Sequence, residues 1–310
     1  MKNMLKRTGI LGVIAFSAIF IACSPRHCPA DHFLAFPIDG GAGVKITDYI
    51  GGNWEVRIPP RIRRIPVTHI GEFAFAEMNL INVSIPNRVI YIGDGAFYSN
   101  QLTSVNIPNS VTHIGEGAFA ENQLTSVNIS NSVTSIGDFV FADNQLTSVN
   151  IPNSVTYIGI SAFRENQLTS VNIPNSVTHI GAGAFMGNRL TNVNIPNRVT
   201  YIGHHTFHHN QLTSVNIPRS VTSIGRGAFW YNRLSSVDIP DSVTNIGEAA
   251  FWNNQLTSIT IGANVNLAYS RPNRNIATSF HNNFHVFYNN NDRRAGVYTW
   301  NGTAWSFSVR

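Results

Sequence analysis

Along most of the chain, apolar and polar positions follow a pattern that returns every 22 residues. One copy reads NQLTSVNIPNSVTHIGEGAFAE, from Asn100 to Glu121. Its apolar places are Leu102, Val105 and Ile107, then Val111 and Ile114, then Phe119. The leucine column runs from Leu80 to Leu256, the Ile-Gly column from Ile70-Gly71 to Ile246-Gly247, and the phenylalanine column from Phe75 to Phe251. Each has nine members and no insertion. A unit this short cannot bury its own core. It has to stack on its neighbours and form an elongated solenoid.

Within a copy, Leu-Thr-Ser-Val-Asn-Ile carries apolar residues at its first, fourth and sixth places, the strand pattern of leucine-rich repeats. Leu102, Val105 and Ile107 are expected to point inward and Thr103, Ser104 and Asn106 outward. Pro108 has no N–H to give a ladder, so it ends the strand. Val-Thr-His-Ile-Gly reads as a second short extended segment with Val111 and Ile114 inside, and Gly115 permits the turn that follows. Phe119 is expected inside, where rings of successive rungs stack. The asparagine column, Asn100 to Asn254, is expected to bond backbone at the turn into the next strand. The predicted fold is therefore a β-rich leucine-rich-repeat solenoid of nine repeats. A parallel β-sheet forms one face and short extended or turn segments form the other. Neighbouring strands ~4.8 Å apart make that sheet roughly 40 Å wide.

The pattern loosens at both ends. Residues 44–66 read as an N-terminal cap, 67–266 as the solenoid and 267–310 as a C-terminal cap. In the last segment Asn301-Gly302 separates two alternating runs, a β-hairpin signal. Tyr298, Trp300, Trp305 and Phe307 are expected to close the open end of the core. At the other end a basic start (Lys2, Lys6, Arg7) precedes an apolar run from Gly9 to Ala22. The run is short for a membrane span and has the layout of a secretory signal, residues 1–22. Residues 23–43 read as a tether.

Composition changes this picture in three ways. Charged residues are only 12% of the chain, so the polar surface has to come from Asn, Thr and Ser. The formal charge of +5 owes three units to the leader, and the remaining 18 basic and 16 acidic residues nearly balance. The short arginine cluster Arg57, Arg61, Arg63 and Arg64 makes no basic stripe, so nucleic acid is not an expected partner. Cys23 and Cys28 are the only cysteines. If Cys23 carries lipid, Cys28 is expected to have no intramolecular partner and packing alone holds the fold.

The pattern L-x-x-V-x-I-P-x-S-V-T-x-I-G-x-x-A-F, over roughly Ile46 to Val265, resembles the BspA-like leucine-rich repeats of bacterial and some parasite surface proteins. Many members have about one more residue per repeat and a Cys near the Asn column, and this chain departs on both points. Ile46 to Gly71 looks like that family's opening segment. Tyr288, Ala295-Gly296 and Trp305 are similar to its closing one. Phe20-Ile21-Ala22-Cys23 resembles a lipoprotein box, although Phe20 stands where an aliphatic residue is usual. The resemblance implies export, acylation of Cys23 and display at the cell surface or outer membrane. It also implies adhesion to host matrix proteins, such as fibronectin or fibrinogen, or to other cells.

No acid pair, nucleophile–base set or phosphate loop appears, and no catalytic residue or cofactor is expected. His-His-Thr-Phe-His-His, residues 204–209, has the i, i+4 spacing that holds zinc on a helix. In repeat register, however, it replaces Gly-Ala-Phe-Ala-type turn residues, and no carboxylate stands at the matching places on flanking rungs. A metal site is therefore not expected. Variation gathers in two columns. Before Ile-Gly stand His69, Tyr91, His113, Ser135, Tyr157, His179, Tyr201, Ser223 and Asn245. After Phe stand His208-His209, Trp230-Tyr231 and Trp252-Asn253. The candidate binding patch is His204, His205, His208, His209, Trp230, Tyr231, Trp252, Tyr157, His179 and Tyr201. Its histidines are expected to be exposed and to gain charge in mild acid. Protein adhesion is the leading expectation. Glycan capture by the aromatic column is the alternative, and a histidine metalloenzyme or a purely structural envelope protein stand behind it.

Overall fold

A computed structural model describes residues 28–268 and 283–309. The 22-residue copies stack as rungs of one right-through core that runs from Cys28 to Trp305. On the rung at Leu102 the side chains of Leu102, Val105, Ile107, Val111, Ile114 and Phe119 are buried, while Thr103, Ser104 and Asn106 are exposed. The phenylalanine rings from Phe75 to Phe251 form an unbroken stack with centroids 5.1 to 5.8 Å apart. All nine rings are fully buried.

Two parallel ladders flank this core. The expected sheet, built from segments such as Ser104–Asn106 and Ser126–Asn128, pairs its rungs two by two and is reduced to single bridges at Asn150–Asn172 and Asn194–Asn216. The second extended segment makes the longer ladder, through His69–Ile70, Tyr91–Ile92 and His113–Ile114, then Ser135–Ile136, Tyr157–Ile158 and His179–Ile180, then Tyr201–Ile202 onward to Asn266–Leu267.

This ladder has two interruptions, and both have a visible cause. In seven of nine copies the residue before the core phenylalanine is alanine, and the exceptions are Val140 and Thr206. At ordinary rungs the Gly N–H donates to the preceding Ile carbonyl, as Gly115 does to Ile92 at 2.8 Å and Gly159 to Ile136 at 2.8 Å. Among the described residues Gly137 and Gly203 make no such bond to Ile114 and Ile180, and the sheet divides there. The rungs also stand farther apart. A Cβ built on Gly93 or Gly181 would lie 2.7 or 2.5 Å from the previous rung's backbone, but on Gly137 it would stand 3.6 Å from Ile114 O. The tight approach explains why glycine occupies this column. β-branched bulk at Val140 and Thr206 props the rungs open, and the Thr206 hydroxyl donates to Gly181 O at 3.4 Å instead.

The asparagine column bonds backbone as expected, and it does so twice over. Asn166 Oδ1 accepts the Leu146 N–H at 2.9 Å, and its Nδ2 donates to the carbonyls of Phe141 at 2.9 Å, Phe163 at 3.3 Å and Arg164 at 3.2 Å. The same set recurs from Asn122 to Asn254. Each asparagine therefore ties its own rung to the one before it.

Both ends are closed. The segment expected as a tether enters the fold from Cys28 onward. Phe33–Ile38 is a strand antiparallel to Gly43–Tyr49, which in turn runs parallel to Ile65–Ile70. Its apolar residues are the reason: Tyr49 stacks on Phe75, Phe33 meets that ring edge-on, and together they cap the ring column. Residues 23–27, the signal 1–22 and the lipid site Cys23 lie outside the described residues. Cys28 is disulfide-bonded; the expectation of an unpaired Cys28 applies to a chain that carries lipid on Cys23. At the C-terminal end, Gly296–Trp300 and Trp305–Ser308 form the expected antiparallel hairpin, and the first of them pairs with Ser258–Ile261. Tyr298 and Trp305 are buried, and Trp300 and Phe307 pack against the core. The α-helix Phe284–Asn290 was not expected from the sequence. It inserts Phe284 and Tyr288, and the Tyr288 hydroxyl donates to Gly262 O at 2.7 Å. Among the described residues no helix is long and apolar enough to cross a membrane.

Candidate functional site

The turn after each Ile-Gly decides where the variable side chains go. Two backbone positions in this turn are left-handed, at His205 (φ 55) and His209 (φ 56) in the histidine-rich copy and at Gly227 (φ 59) and Tyr231 (φ 55) in the next. A left-handed residue every fourth place prevents an α-helix. The i, i+4 pairs of residues 204–209 are therefore not brought together. The ring contacts instead join His205 to His208 at 5.5 Å and His208 to His209 at 6.0 Å.

These rings continue onto the next rung. His208 lies 4.8 Å from Trp230 and 6.1 Å from Tyr231. His205 lies 6.2 Å from Trp230, and His209 lies 6.0 Å from Tyr231. Trp230 and Tyr231 are 5.6 Å apart. The result is a five-ring cluster on two rungs, with Tyr231 49% exposed and His209 also exposed. His205 and His208 are half-buried, so the expectation of four exposed histidines holds for His204 and His209 only.

Burial has a chemical consequence. It pushes the His208 imidazole down to about 4, with the neighbouring His205 and His209 acting in the same direction. Burial also lowers His205, followed by Arg226 and His204. His208 therefore stays neutral in mild acid, which corrects the expected gain of charge there, and His205 is shifted in the same direction. The centre of the cluster is thus a neutral ring, because removing the His208 imidazolium from water costs more than its neighbours return. His204 is occupied otherwise: its Nδ1 accepts the Arg226 N–H at 2.9 Å, and the Tyr201 hydroxyl lies 3.4 Å from its Nε2.

The other members of the candidate patch are elsewhere. Trp252 is half-buried on the following rung and joins no ring contact among the described residues. Tyr157 and His179 stack at 4.7 Å on the second ladder, and Tyr201 stands one rung beyond them. Three more rings of that ladder, His69, Tyr91 and His113, form a second stack. They stand in the same sequence column as Tyr157 and His179 and extend the ring-bearing surface beyond the candidate patch. Among the described residues no group of three or more His, Cys, Asp and Glu is placed to hold a metal ion. An open recess of about 580 Å³ is lined by Arg219, Asp238 and Asp241, and none of the ring-bearing residues borders it.

Comparison with known proteins adds a family and a set of folds. The profile described as "BspA type Leucine rich repeat region" matches residues 63–168 and 156–275, in six copies. Among solved structures, the pneumococcal vaccine antigen PcpA is 22% identical over 74% of this chain and 66% of its own, with a TM-score of 0.51. A leucine-rich repeat protein from Eubacterium ventriosum is 25% identical over 73% of this chain and 68% of its own, with a TM-score of 0.50. A leucine-rich cell surface protein from Faecalibacterium prausnitzii is 26% identical over 78% of this chain and 90% of its own, with a TM-score of 0.45. No sequence match was found among curated proteins.

Proposed function

Because the chain belongs to the BspA-type leucine-rich repeat family, we propose that it is an exported surface protein that binds through its repeat array and performs no catalysis. Its partner in this reading is a host matrix protein or a protein of another cell. The observation that carries the reading is the five-ring cluster of His205, His208, His209, Trp230 and Tyr231. Aromatic groups gathered on a rigid base are among the anchors that dominate protein interfaces. They lose little conformational entropy when a partner covers them. The uniform Thr, Ser and Asn rows then add many weak contacts along the rungs. A thioether-linked lipid at Cys23 would hold the molecule at the membrane, since two or more acyl chains anchor firmly and one does not.

The test is saturable binding of the purified mature chain to fibronectin, to fibrinogen and to whole cells. Trp230→Ala combined with Tyr231→Ala is expected to weaken the affinity at least tenfold, roughly the worth of two interface anchors. No saturable binding to any of these surfaces would sink the adhesin reading.

A further inference from the structure

A second feature lies on a different face. The side chains before Ile-Gly follow one another along the second ladder, Tyr91 beside His113 and Tyr157 beside His179. Their rings stack at 5.4 Å for His69–Tyr91, 4.5 Å for Tyr91–His113 and 4.7 Å for Tyr157–His179. Interplanar angles of 9° and 3° in the last two pairs set the ring faces looking along the ladder. Ser135 stands between the two stacks and carries no ring. The face of His113 and the face of Tyr157 that look toward Ser135 are therefore open. Exposure agrees with this: Tyr91, covered on both sides, is half-buried, whereas Tyr157, covered on one, is 37% exposed.

The opening has a definite width. Two strand spacings separate His113 from Tyr157, roughly 10 Å, and the first of the two steps crosses the interruption at Val140. In the same column Tyr91 fills such a spacing, 5.4 Å from His69 and 4.5 Å from His113, so the gap takes one group of ring thickness. A pyranose chair, with axial hydrogens on both faces, also fills that width, and the polar groups around the gap decide between the two. The flanking groups are suited to hydroxyls. Ser135 stands on the middle rung of the gap, with Asp138 on that rung and Glu116 on the rung of His113. Their nearness shows in the Tyr157 phenol, which burial raises and which Asp138 and then Glu116 raise further. Asp138 Oδ1 receives the Ile160 N–H at 2.7 Å, which fixes the carboxylate beside the gap.

We propose that the gap at Ser135 is a binding slot for one pyranose unit of a neutral glycan. His113 and Tyr157 cover the two C–H faces of the sugar, and Glu116 and Asp138 accept hydrogen bonds from its hydroxyls. The two carboxylates repel sialic acids, uronates and sulfated sugars. The slot is separate from the five-ring cluster and does not depend on it.

The experiment is an array of neutral, sialylated and sulfated glycans probed with the full mature chain, with N-acetyltyrosinamide as a competing aromatic probe. Saturable binding to neutral pyranoses is expected, and none to the anionic set. Ser135→Tyr places in the gap the residue that this column carries at Tyr91, Tyr157 and Tyr201. It is expected to reduce binding at least tenfold while the melting temperature holds. Trp230→Ala with Tyr231→Ala is expected to leave glycan binding unchanged, which separates this site from the protein-binding cluster. The proposal is overturned if no neutral glycan binds or if only anionic ones do. Binding indifferent to Ser135→Tyr overturns it too. So does N-acetyltyrosinamide occupying the slot while sugars do not, since the gap would then be a socket for an aromatic side chain.

Discussion

The asparagine column makes the sharpest prediction about what holds the solenoid together. In Asn166→Ala the Leu146 N–H loses its acceptor at 2.9 Å inside a fully buried position. The carbonyls are better protected. Phe141 O keeps a bond from Asn144, and Phe163 O keeps one from Asn188. One stranded buried donor costs about 1–3 kcal/mol, and each of the weaker bonds adds up to about 1 kcal/mol net. The expected loss is therefore about 2–4 kcal/mol, measured as a lower urea midpoint. Asn166→Asp keeps the acceptor and removes every donor, leaving a carboxylate facing three carbonyl oxygens. That variant is expected to be weaker than the alanine at pH 7 and to recover as acid protonates it. In a stacked array the effect belongs to one inter-rung interface. An interior break is thus expected to broaden the unfolding transition and lower its slope. Asn254→Ala, half-exposed near the end of the array, is expected to cost less. A loss below about 1 kcal/mol for Asn166→Ala, where a stranded donor predicts more, would refute the reasoning. So would an aspartate variant as stable as wild type.

Three further outcomes can be checked. Val140→Ala and Thr206→Ala are expected to close the ladder, so that the Gly137 and Gly203 amides exchange hydrogen as slowly as Gly115; unchanged exchange would show that bulk at these positions is not the cause. His208 is expected to remain neutral down to about pH 4 in an NMR titration. Since its unfolded form takes up a proton near pH 6.5, it makes the fold lose stability as pH falls from 6.5 to 4, and His208→Gln is expected to flatten that slope. Palmitate labelling is expected in the wild-type chain and not in Cys23→Ser; because one sulfur cannot hold both a thioether and a disulfide, Cys28 is expected to react with maleimide only in the acylated fraction.

The periodic part of the fold was legible because each column has one physical duty. Leucine, valine, isoleucine and phenylalanine face inward, glycine allows close approach, and asparagine bonds backbone. Any copy could be read against eight others. What stayed hidden had no second copy to be read against. Phe33–Ile38 follows a Pro-bearing stretch and was expected as tether, because a strand that pairs only once leaves no period. The helix Phe284–Asn290 starts at Asn283 without a side-chain cap bond, so it gives no start signal of the usual kind. Its place is set by Tyr288 reaching Gly262, a contact at a sequence separation that no local pattern encodes.

The candidate site shows the same division at finer scale. Which columns vary was visible, and both prove to carry rings. How the rings group was not, because grouping depends on the direction each turn gives its side chains. Left-handed backbone at His205 and His209 turns one set of rings toward Trp230 and Tyr231, while the straight ladder holds Tyr157 and His179 in a separate stack. One candidate patch thus becomes two surfaces with different chemistry. The first is a packed cluster whose members touch. The second is an ordered stack whose information lies in the place where a ring is missing. Ser135 would be read from sequence as the plainest residue of its column. Only the ring faces on either side of it, held two rungs apart by a ladder that Val140 has opened, give that serine a meaning.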